Sequence, residues 1–196
     1  MSTRKKSKKK TIFTIGHSTR PLEELIELLR AHEVRRVIDI RTIPRSRRNP
    51  QYNRETLGPA LRSRKIGYVH LKGLGGLRRA KSDSKNIGWH NASFRGYADY
   101  MQTSEFDTGL KRAIRLSAVK PSALMCAEAV PWRCHRSLVA DALAARTFPV
   151  EHILSVSRAN KHKLTSFARL RGEKVTYPSD KPDRRKPPVR KPKQHS

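Results

Sequence analysis

TIFTIGHSTRPLEELIELLRAHEVRRVIDI, residues 11–40, decides the fold class. Residues 11–15 are a short apolar run, broken by Gly16-His17-Ser18-Thr19-Arg20-Pro21. Leu22, Leu25, Ile26 and Leu29 then recur at helical spacing. Pro21 suits the helix start, and Glu23 and Glu24 suit its positive end; Ser18 or Thr19 is the expected cap. Residues 37–40 (VIDI) form a second strand. Strand, helix and strand in this order imply parallel pairing through a right-handed crossover.

The pattern repeats along the chain. After the basic loop 41–53, a helix near 56–65 leads to a third strand at 68–71. A helix carries Tyr97, Tyr100 and Met101. Ser104 and Asp107 resemble a capping box ahead of Phe106, Leu110, Ala113 and Ile114. Residues 123–126 are a fourth strand, 134–145 a helix with Leu138, Val139 and Ala142 inward, and 150–154 a fifth strand. A last helix is expected within 161–177, from Leu164, Phe167, Ala168 and Leu170. The expected class is α/β, a three-layer, mainly parallel sheet of about five strands with flanking helices. The polar stretch from Lys72 to Ser93 has too little apolar content for core elements and reads as a mobile lid or a loop that orders on ligand.

The chain has 196 residues, which suits one domain with tails. Residues 11–177 form the expected domain. Residues 1–10 (MSTRKKSKKK) and 178–196 (PSDKPDRRKPPVRKPKQHS) cannot bury surface and are expected to be disordered arms. The net charge is +28; the arms carry +11 and the domain +17, so the folded part is basic in its own right. Such a field favours polyanions, nucleic acid or nucleotides first among them. No apolar run reaches the length of a membrane span, so no membrane insertion is expected. The lack of an apolar N-terminal stretch and the use of only two cysteines point to a reducing, cytoplasmic setting.

In parallel α/β sheets ligands bind outside the carboxyl ends of the strands. The residues delivered there are His17 and Ser18 after the first strand, Asp39 and Arg41 after the second, and Gly75 and Gly76 after the third. Cys126, Glu128, Arg133, Cys134, His135 and Arg136 follow the fourth. Cys126, Cys134, His135, Glu128 and Asp39 carry the reactive groups. His17, Ser18, Arg41, Gly75, Gly76, Arg133 and Arg136 suit ligand binding.

The stretch from Cys126 to Arg136 admits several chemistries. It is similar to the strand–Cys–loop–Arg–helix arrangement of cysteine phosphatases and rhodanese-like enzymes, with six intervening residues before Arg133 where five are usual. Cys126, Cys134 and His135 with His17 or Glu128 would suit zinc or iron. Glu128 as a buried carboxylate would suit acid–base work. Against these stands plain packing, with the cysteines as small apolar groups and Asp39 and Arg41 as a structural ion pair. Trp89 and His90, in the polar loop, could stack on a base.

Gly16-His17-Ser18, Asp39-Ile40-Arg41 with Pro44 and Ser46, Leu74-Gly75-Gly76, the run from Tyr97 through Met101 to Phe106, and Cys126-x-Glu128-x-x-Pro131-x-x-Cys134-His135-Arg136 together resemble the domain of unknown function 488 family. One departure is the pair Ala129-Val130 between Glu128 and Pro131. The resemblance implies an α/β fold and the rim residues; it implies no reaction and no cofactor. The composite expectation is a nucleic-acid- or nucleotide-directed enzyme. Its rivals are a non-catalytic DNA- or RNA-binding protein and a metal-binding redox or sensor protein.

Overall fold

The computed structural model describes residues 9–179. A six-stranded sheet forms from β1 (Ile12–Gly16), β2 (Arg36–Asp39), β3 (Gly67–His70), β4 (Ser122–Cys126), β5 (Val150–Ile153) and β6 (Ala159–Lys161). The order is β3-β2-β4-β1-β5-β6, parallel except for the antiparallel edge strand β6. The five expected strands are its parallel part. All five residues of β4 are buried, as a central parallel strand covered on both faces requires.

The helices form the outer layers. α1 (Leu22–Ala31) and α2 (Arg54–Ser63) cover one face, where Leu25, Leu29, Leu57 and Leu61 pack on Ile15, Val37, Ala123 and Met125. α3 (Ala92–Tyr100), α4 (Ser104–Val119) and α5 (Arg136–Ala145) cover the other, packing Tyr97, Phe106, Leu110, Leu138 and Val139 on Ile12, Ile38 and Leu124. Alternation along β4 divides its side chains between the two cores.

Several local expectations are corrected. Pro21 occupies the N-cap position of α1 with no side-chain cap, and Ser18 instead takes a left-handed φ of 50°. Thr103, not Ser104, caps α4, its hydroxyl accepting from the N–H of Phe106. In place of a last helix there is a hairpin, β7 (Arg169–Arg171) with β8 (Lys174–Thr176). Gly172 supplies the positive φ of 59° that the two-residue turn requires.

The stretch from Lys72 to Ser93 is pinned, not loose. The Asp99 carboxylate accepts from the Lys81 N–H at 2.9 Å, the Ser84 hydroxyl at 2.6 Å and the Asn86 amide at 2.8 Å. Asn86 accepts in turn from the N–H of Tyr177. Low apolar content misleads here because hydrogen bonds satisfy the buried polar groups.

Among the arm residues, Lys9 and Lys10 lie against the domain. Lys9 donates to the carbonyl of Arg146 and sits over the Phe148 ring, and Lys10 donates to the carbonyl of Ala118. The expectation of disorder for residues 1–8 and 180–196 lies outside the described residues. Among the described residues no helix is long and apolar enough to cross a membrane.

Candidate functional site

The connection from β1 runs to α1 on one face, and that from β4 runs to α5 on the other. Neighbouring strands with connections to opposite faces open a crevice at their carboxyl ends. His17-Ser18 and the segment after Cys126 meet there, with the N–H of His17 and of Ser18 donating to the carbonyls of Cys126 and Ala127. Gly16 is required by this crossing. A Cβ at that position would run into the Glu128 carbonyl oxygen and lie 2.8 Å from the Arg136 guanidinium.

Arg136 is 1% exposed. Its guanidinium donates to Cys126 Sγ at 2.9 Å and to the carbonyls of Glu128 and Ala129 at 2.5 and 2.8 Å. It forms no ion pair among the described residues, and burial pulls its pKa down to about 10, so it stays cationic at neutral pH. Cys126 and Cys134 are brought sulfur to sulfur, Cα atoms 7.6 Å apart, and neither is left free. The N–H of Arg136 also donates to Cys134 Sγ at 3.4 Å. The pair therefore sits in a positive field at the start of α5.

Asp39 is fully buried and its oxygens are shared out. Arg41 Nε and Nη2 bond Oδ1 and Oδ2 at 2.9 and 2.6 Å, and the Tyr68 hydroxyl donates to Oδ2 at 2.7 Å. Arg41 Nη1 lies 3.2 Å from His17 Nε2, which places the His17 proton on Nδ1, donating to the Ser18 carbonyl at 2.8 Å. The imidazole stacks on Tyr52 at 4.0 Å. His135 is held by the carbonyl of Ile40 and by the ring of Tyr97.

The other expected residues fall differently. Glu128 is exposed, which corrects its reading as a buried acid–base carboxylate, and Arg133 is exposed as well. Gly75 and Gly76 pack tightly. Cβ atoms there would come within 2.6 Å of Thr42 Oγ1 and 3.0 Å of His135 Nδ1, and Thr42 bonds the Gly76 carbonyl. Among the described residues no group of three or more His, Cys, Asp or Glu is placed to hold a metal ion.

A cavity of about 370 Å³ opens on the rim, lined by His17, Ser18, Thr19, Arg41, Ile43, Arg45, Ser46, Asn49 and Ala127. Sequence reasoning assigned no role to Tyr52 or Asn49; the signal available for both was their place in the long basic loop after β2.

Three buried imidazoles give the fold an acid limit. Burial, with nearby guanidinium charge, lowers His17 to about 4, and does the same for His135. Burial, then the adjoining His162, lowers His152 to about 4. Between pH 6.5 and 4 the unfolded chain takes up protons on these rings and the folded chain does not. Stability is then expected to fall as pH drops through that window, on the order of 2–3 kcal/mol per ring. Urea midpoints at pH 7.5, 6, 5 and 4.5 measure it; a flat profile would contradict neutral, buried rings.

Fold and rim together define a mainly parallel α/β protein with a cationic crevice that holds a cysteine pair at a switch of strand order. The chain belongs to the family described as domain of unknown function DUF488, whose model matches residues 21–143. That segment spans α1 to α5 and holds every expected site residue except His17 and Ser18. Searches of curated proteins and of solved structures found no match.

Proposed function

We propose that this protein is a nucleotide- or nucleic-acid-directed enzyme whose substrate phosphate enters the rim cavity. One observation carries the reading: Arg41, fixed by the Asp39 carboxylate, and the exposed Arg45 line one cavity, whose wall also holds Ala127, the residue after Cys126. A phosphate there meets guanidinium groups whose orientation is set before binding. The surrounding charge of +28 raises the local concentration of such ligands. Cys134, Cys126 and His135 form the reactive side of the crevice, and Arg136 holds the loop that carries Glu128.

A non-catalytic nucleic-acid-binding role is favoured by the engagement of both Asp39 oxygens and by the exposure of Glu128. Binding of a single-stranded oligonucleotide is expected to weaken steeply with salt. Arg45→Ala should reduce the log–log salt slope by about one. An unchanged slope and affinity would remove the rim cavity from phosphate binding. Mass analysis of the oligonucleotide or nucleotide after incubation separates the two roles. Product formed by the wild type and lost in Cys134→Ser and Glu128→Gln, with unshifted thermal midpoints, supports the enzyme; binding without product supports the rival.

A further inference from the structure

A cavity larger than that of the rim lies elsewhere on the strand ends. It measures about 790 Å³ and opens between the turn before α5 and the β5–β6 edge. Most of its β-side wall lies beyond the family-matched segment. Trp89 and Trp132 both line it, and they are the two tryptophans of the chain. Trp89 is a fixed wall, held by the rings of Phe94, Phe167 and Tyr177 at 4.7, 4.9 and 5.5 Å. Trp132 is 66% exposed at the other side.

The polar lining has one sign. Lys161 and Lys163 are exposed and form no ion pair with a described residue, and no carboxylate lines the cavity. Between them His162 turns into a buried chain. Its Nε2 bonds Asp141 Oδ1 at 2.8 Å, its Nδ1 lies 3.0 Å from His152 Nε2, and His152 Nδ1 lies 2.7 Å from Thr14 Oγ1. Thr14, His152, His162 and Asp141 thus form one continuous hydrogen-bonded chain. Every ring nitrogen is occupied, so the two imidazoles form a rigid floor.

Two indoles, a rigid imidazole floor and two unpaired cations suit a planar heteroaromatic ring that carries an anionic group. We infer that this cavity is a nucleobase pocket. It receives the base of a free nucleotide or an unstacked base of a polynucleotide, with Trp132 stacking on it and Lys161 and Lys163 meeting its phosphate. The inference deepens the reading of the rim as a phosphate site but does not need it, because a nucleoside without phosphate tests it alone.

Both tryptophans line this cavity, so the intrinsic emission of the full chain reports on it. Titration with the four nucleosides and their 5′-monophosphates should give saturable quenching, and ribose 5-phosphate should give none. Calorimetry on Trp132→Ala should show binding roughly tenfold weaker, with Trp132→Phe retaining most of it. Trp132 is exposed, so neither change disturbs the core. Quenching by a mixed-sequence single strand, absent with an abasic strand and with monomers, would assign the pocket to polymers. Quenching by monomers would assign it to free nucleotides. No quenching by any base-bearing ligand, equal quenching by ribose 5-phosphate, or unchanged affinity in Trp132→Ala would overturn the inference. A failed rim reading would appear separately, as an unchanged salt slope and affinity in Arg45→Ala with intact nucleoside quenching.

Discussion

Asp141→Ala is expected to lower folding stability by about 3–5 kcal/mol, the largest loss foreseen for a single side chain outside the rim. Asp141 is fully buried on α5. Its carboxylate accepts from His162 Nε2, the Thr165 N–H, the Thr165 hydroxyl and the Tyr177 hydroxyl, all at 2.7–3.0 Å. Alanine leaves four buried or half-buried donors without an acceptor, at about 1–3 kcal/mol for each one that stays dry. It also unlinks the segment that follows β6 from the helix beneath it. Asp141→Asn keeps one acceptor oxygen and should fall between wild type and alanine. Denaturant unfolding measures the loss, and amide exchange should show it concentrated over residues 162–177. A change below about 1 kcal/mol would mean that water replaces the carboxylate.

The parallel core was legible because its signals are periodic and long-range. Leu25, Ile26 and Leu29 mark a helix face, and the apolar runs on either side can pair only through a crossover. The rim followed from that topology, since it requires only that strand ends be identified. The later elements were not legible, because β6, β7 and β8 have three residues each and depend on tertiary partners, β6 on β5 and β8 on β7 and α5. Leu164, Phe167 and Leu170 mimic a helical stripe, but Gly172 and the Asp141 anchor at Thr165 hold that stretch extended. The Thr14–His152–His162–Asp141 chain was missed for a related reason. A histidine inside an apolar strand reads as core, and its partners Thr14 and His162 lie 138 and 10 residues away, outside its own strand. One clue was present: Asp141 is a lone acid in a helix whose residues from Arg136 to Leu143 are all buried. A buried carboxylate needs donors, and their identity is a tertiary fact.

At the rim, Asp39→Ala is expected to cost about 3–5 kcal/mol, because Arg41 is only 7% exposed and would become a buried cation without its carboxylate. The Tyr68 hydroxyl would lose its acceptor as well. Arg41 would keep the Tyr52 carbonyl at 2.8 Å and its contact with His17, too little to fix the guanidinium in the cavity. Phosphate affinity should fall with stability, so a single variant does not separate positioning from direct action. A double-mutant cycle does. Arg41→Met removes the cation and fills its volume, and Asp39→Ala on that background no longer strands a charge. The double variant should therefore be more stable than the sum of the two single losses, with a coupling of about 1–3 kcal/mol. Ligand affinity measured on the same four proteins should show the same pattern, since Asp39 acts on the ligand only through Arg41. Additive stabilities would deny the pair its structural role. Loss of ligand binding or turnover in Asp39→Asn with an unshifted midpoint would instead put the carboxylate in direct contact with the substrate.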